Sequence, residues 1–63
     1  MSIGQKLREL RGKKSREHVA NAVGVSVSAI AMYERDERVP SDKVKVKIAE
    51  YFGKSVASIF FAK

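Results

Sequence analysis

A chain of 63 residues has room for one domain, residues 1–63, with a thin core, since folding at this size hides only about 60% of the unfolded surface. The absence of cysteine excludes a disulfide framework and thiolate metal sites, the single histidine, His18, excludes a multi-histidine site, and a reducing cytoplasm is the expected location. Thirteen Lys and Arg against seven Asp and Glu leave a net charge of +6 and a pI near 10.0, a balance that attracts polyanions, nucleic acid ahead of anionic membrane.

Gly12, Gly24, Pro40 and Gly53 divide the chain into five short segments, each with a helical period or a helix start signal. The first runs from Ser2, a possible cap, to about Arg11, with Ile3, Leu7 and Leu10 on one face. The second runs from the cap Ser15 to Val23, with Val19, Ala20 and Val23 as its apolar stripe, and Gly24 stops it in the left-handed conformation. The third starts at the cap Ser26 and reaches Glu34, turning Ala29, Ile30 and Tyr33 inward. Arg35–Val39 reads as a charged loop, and Pro40-Ser41-Asp42 opens a fourth helix carrying Val44, Val46, Ile48, Ala49 and Phe52. The alternation in Val44-Lys45-Val46-Lys47-Ile48 resembles a strand. It lies between helix start and stop signals, however, and would have no partner strand, so a helix is expected. Ser55 caps a last short helix bearing Val56, Ile59 and Phe60. No apolar run approaches the ~20 residues of a membrane helix and no signal peptide is visible, so no membrane partner is expected, and the intact Met1 suggests a whole protein.

The informative stretch is Val19 to Ile30, where two short helices meet across a turn holding Gly24. That is the helix-turn-helix arrangement, expected over about residues 15–34. Each position fits it. Ala20 is small where the next helix crosses, Val25 plugs the turn, Ser26 caps the new helix and Ile30 packs beneath.

At this point the sequence resembles the XRE family of phage repressor and Cro type helix-turn-helix proteins. The resemblance rests on Ile3-Gly4, Leu7-Arg8-Glu9-Leu10-Arg11, Ser15 to Ala20, Val23-Gly24-Val25-Ser26, Ser28-Ala29-Ile30, Tyr33-Glu34-Arg35, Arg38, Pro40-Ser41, Lys47-Ile48-Ala49, Phe52-Gly53, Ser55-Val56 and Ile59-Phe60. It implies an all-α, compact five-helix domain whose third helix enters the major groove. The chain departs from the family at several places. The Gly12-Lys13-Lys14 link is shorter than usual. Arg16 stands for a glutamine, His18 for an acid and Asp36 for a glycine, while Asp42 and Lys45 occupy places often held by leucine.

By resemblance, Val27, Ser28 and Met32 match the family's principal base-contacting positions, on an outward face that also includes Ala31. None of them makes a bidentate bond to a base; Val27 and Met32 suit the thymine methyl, so operators rich in T are expected. The phosphate-contacting set is Ser15, Arg16, Ser26, Arg35, Arg38 and Lys43, with Lys13 and Lys14 close by; free N–H groups at a helix start favour a phosphate. The resemblance pairs Glu34 with an arginine of the first helix, either Arg8 or Arg11. Gln5 has no role, and His18 reads as an exposed residue near the cap.

No Cys-His, Ser-His-Asp or metal cluster exists in the sequence, nor a glycine-rich phosphate loop, and the chain leaves little room for a ligand pocket. An enzyme, a cofactor, a metal site and a small-molecule ligand are therefore not expected. Proteins of this type bind palindromes as two-fold dimers. With no separate oligomerisation segment visible, the dimer surface is expected at Phe60 and Phe61, above all Phe61; the alternative is that Phe61 folds over the first helix as a lid. The expected function is sequence-specific repression, of a phage or mobile element, by a homodimer on double-stranded DNA. An activator is a variant of this reading. The competing class is an antitoxin or adaptor whose third-helix face binds a partner protein.

Overall fold

The computed structural model describes residues 2–61. Five helices follow one another, α1 (Ile3–Arg11), α2 (Arg16–Val23), α3 (Val27–Glu34), α4 (Asp42–Phe52) and α5 (Val56–Phe60), with no strand among the described residues. Each starts on a serine. Ser2, Ser15, Ser26, Ser41 and Ser55 all hold extended backbone, and each Oγ accepts the N–H three residues on, at 3.0–3.3 Å. A side-chain cap of this kind stabilises a helix by about 1 kcal/mol. At α1 it is reciprocal, because Gln5 Oε1 accepts the Ser2 N–H at 3.1 Å. This gives Gln5 the role that the sequence left open.

The turn between α2 and α3 follows the sequence reading. Gly24 sits at φ 84°, and the N–H groups of Gly24 and Val25 both donate to the Ala20 carbonyl, at 2.8 and 3.0 Å. A side chain at that φ would be strained. Val25 packs half-buried on the core.

The core gathers one stripe from each helix: Leu7 from α1, Val19, Ala20 and Val23 from α2, Ala29, Ile30 and Tyr33 from α3, Ile48 and Ala49 from α4, and Ile59 and Phe60 from α5. α3 lies against α1 and α2, while α4 packs on α2 and α5, and α5 returns to α1. The ambiguous valine-lysine stretch is helical, as expected, but Val46 does not join the inner face and is 48% exposed. At 3.6 residues per turn, Val46 lies about 200° around the helix from Val44, whereas Ile48 returns to the same side.

α1 and the end of α3 meet at backbone contact distance. A Cβ on Gly4 would lie 2.3 Å from the Glu34 carbonyl oxygen, so only glycine fits. The Gly4 N–H donates to Asp36 Oδ1 at 2.9 Å, and Asp36 itself turns the chain at φ 59°. Asp is one of the few side chains that tolerate left-handed geometry, and here its carboxylate is held by the N–H of Gly4 across the fold.

Candidate nucleic-acid interface

The interface is built from two adjacent helix starts and the loop that leaves α3. The first turns of α2 and α3 leave backbone N–H groups unpaired within the helix, and the helix dipole makes both ends attractive to anions. Ser15 and Ser26 each accept one such N–H. Both serines are exposed.

Along α3, Val27 is 42% exposed and Ser28 is exposed, while Ala31 and Met32 are half-buried. The three residues expected at base edges thus share the outward side of α3, Val27 and Ser28 fully and Met32 in part. Ala29, Ile30, Tyr33 and Glu34 face inward.

Glu34 ends α3 and is 2% exposed, a carboxylate inside the protein. Arg11 meets it in a two-pronged bond, Nε to Oε2 at 2.6 Å and Nη2 to Oε1 at 3.0 Å. The α1 partner is therefore Arg11 and not Arg8. Arg11 also donates from Nη1 to the Lys14 carbonyl at 2.9 Å, which pins the short link between α1 and α2. A second arginine joins from α2, Arg16 Nε to Glu34 Oε1 at 3.1 Å. Burial pushes the Glu34 carboxyl up, but the hydrogen bonds and charges of Arg11 and Arg16 outweigh it and hold the group below the usual carboxylate range. Its carboxylate in turn raises Arg11.

This places Arg16 differently from a free phosphate-binding arginine. It stands at the first position of α2, tied to Glu34 by one nitrogen, with its side chain 41% exposed. The sequence offered no signal for this tie, because it depends on how the start of α2 meets the end of α3.

The loop after α3 carries the remaining expected phosphate contacts. Arg35 is exposed but already engaged, with Nε and Nη2 on the two oxygens of Glu37 at 2.8 and 3.1 Å. That bond is the main cause of a lowered Glu37 pKa and a raised Arg35 pKa. Arg38 and Lys43 are exposed. Behind the loop, the Gly4 N–H and then Ser2 lower the Asp36 pKa against a small burial cost, with help from the Arg8 charge. Lys14 turns aside, its ammonium 4.9 Å from the centre of the Tyr51 ring, and His18 is exposed beside the same ring at 6.3 Å.

At the other end of the molecule the two phenylalanines separate. Phe60 is 7% exposed and belongs to the core of its own chain, so it is not free to meet a second one; Ile59 and Phe60 are the adjacent pair that α5 turns inward. Phe61 is 63% exposed and forms no lid over α1. Lys45, which occupies a place often held by leucine, lies with its ammonium 5.6 Å from the Phe60 ring centre and 5.0 Å from that of Phe61. Its methylene stem supplies apolar cover there and its ammonium faces the rings.

Among the described residues no group of three acidic, histidine or cysteine side chains is placed to hold a metal ion, and no helix is long and apolar enough to cross a membrane. A family model described as helix-turn-helix matches residues 5–59, nearly the whole of the chain. No curated protein and no solved structure gives a match to the chain.

Proposed function

From the premise that the chain belongs to the helix-turn-helix family, of the XRE kind, and is a DNA-binding regulator, we propose that it is a repressor of a phage or mobile element that binds a palindromic operator as a homodimer. The observation that carries this reading is the Arg11–Glu34–Arg16 junction. It fixes the end of α3 to the start of α2, so the helix that would read bases and the helix start that would hold a phosphate form one rigid piece. Val27, Ser28 and Met32 meet base edges. Ser15, Arg16, Ser26, Arg35, Arg38 and Lys43 grip the backbone around them, and those phosphate contacts set register while the base contacts choose sequence. Arg35 reaches a phosphate by exchanging or sharing its bond to Glu37. Phe61, with Lys45 beside it, is the contact between two chains, whose half-sites lie about 34 Å apart.

The test is selection of bound sequences from random duplex DNA at about 150 mM salt, where non-specific phosphate binding is weak. An inverted repeat is the expected product. Recovery of no motif would overturn the operator-reading function. It would favour the second reading, an antitoxin or adaptor that meets a partner protein through α3, for which the exposed, apolar Val27 is the supporting observation.

A further inference from the structure

The eight residues of α3 contain no arginine, lysine, asparagine or glutamine. Of its polar groups, Tyr33 is buried and Glu34 is consumed by two arginines inside the protein. What faces outward is an isopropyl group at Val27, one hydroxyl at Ser28, and the half-buried methyl of Ala31 and thioether of Met32. In the major groove the four base pairs are told apart by paired donors and acceptors, together with one apolar feature, the methyl group at C5 of thymine. This face has no side chain that makes the paired hydrogen bonds. The methyl group is the feature its chemistry fits. The surroundings select DNA over an apolar protein surface as the occupant, since the stripe begins at the positive end of the α3 dipole and continues into a loop carrying Arg35 and Arg38.

We propose that the α3 face recognises pyrimidines carrying a C5 methyl group, and that it therefore accepts 5-methylcytosine in duplex DNA as it accepts thymine. The inference rests on the operator-reading function proposed above. The C5 methyl of a free duplex stands in water. Laying it against Val27 and Met32 removes apolar surface from water on both sides, which is worth about a fourfold gain in affinity for each methyl group covered. Cytosine and 5-methylcytosine present the same hydrogen-bonding edge, as do uracil and thymine, so a reader of methyl groups responds to cytosine methylation where a reader of donors and acceptors does not.

The experiment uses the operator duplex recovered by selection and alters only the DNA. In one series deoxyuridine replaces thymidine at the contacted steps, which deletes the methyl and keeps every hydrogen-bonding group. In a second series those T·A pairs become C·G pairs, with the cytosine either methylated at C5 or not. We expect each thymine-to-uracil change to weaken binding about fourfold, and each methylated cytosine to bind about fourfold tighter than the plain one. The V27S variant changes an exposed side chain and removes the thymine–uracil difference at the step that Val27 covers. Equal affinity for the thymine and uracil operators would overturn the inference while leaving sequence-specific binding intact. An undiminished difference in V27S would overturn the assignment to Val27. Failure to recover any motif would overturn the reading on which the inference stands.

Discussion

Glu34 and Glu37 lie three residues apart, and each grips an arginine with both carboxylate oxygens, yet the two pairs sit in different media. Glu34 is 2% exposed and serves Arg11 and Arg16 together, whereas the side chains of Arg35 and Glu37 are 53% and 54% exposed. Inside the protein a carboxylate without its cations keeps its desolvation cost with nothing to offset it. In water the same geometry competes with hydration and salt, and contributes little to stability. The inner pair therefore belongs to the architecture and the outer pair to the surface field, although nothing in their local chemistry separates them.

Removing Arg11 is the sharpest way to break that contrast. Arg11→Ala leaves Glu34 buried with Arg16 alone, and is expected to lower unfolding free energy by about 3 kcal/mol in urea titration. Gly4→Ala attacks the same junction through the backbone. Its new methyl would meet the Glu34 carbonyl at 2.3 Å, so α1 must move away from α3, at a cost of about 2 kcal/mol in thermal unfolding. If G4A melts like the natural chain, the two helices are not in the close contact described above.

The acid limb of the stability curve separates the pairs by a different route. Because the Glu34 carboxyl is held low in the folded chain, its contribution is complete above the unfolded-state value, near 4.5, and is lost as pH falls through the folded value. Melting temperature is expected to hold from neutral pH down to about 5 and to fall below that. In Glu34→Gln the part of the fall due to this carboxyl disappears, and the whole curve lies lower at neutral pH. The smallest expected effect on stability is that of Glu37→Gln, which leaves the melting temperature unchanged. It frees the Nε and Nη2 edge of Arg35, which then reaches a phosphate without leaving Glu37, so affinity for duplex DNA should rise by about threefold, the worth of an exposed ion pair. An unchanged affinity would mean that Arg35 reaches no phosphate even when released.

Much of the fold was legible because its signals are local. Five serines in front of apolar stripes, and Gly24 in the turn, state where helices start and stop without any tertiary information. What the sequence hid was set by distance or by angle. Val44 and Ile48 satisfy both a strand period and a helix period, so Val46 could be assigned inward until the helix was seen to turn it out. Arg8 and Arg11 differ by less than one turn, and only the course of the Gly12–Ser15 link decides which reaches Glu34. Phe60 and Phe61 are neighbours on a helix of five residues, where one step separates core from surface. Arg16 was legible as a cation at a helix start, and illegible as the second partner of Glu34, since that contact joins residues 18 apart across two elements.

The ties that converge after α3 also bear on how cheaply the chain closes. Arg16 to Glu34 spans 18 residues, Arg11 to Glu34 spans 23, and Gly4 to Asp36 spans 32, each loop enclosing the one before. The entropy of closing a flexible loop grows only with the logarithm of its length. Once the innermost tie has formed, the next must confine only the few residues between Arg11 and Arg16, and the last only those between Gly4 and Arg11, most of which α1 already orders. A chain of this size, with no disulfide to shorten its loops, thus gains the effect of nested staples from one buried acid and one aspartate two residues beyond it.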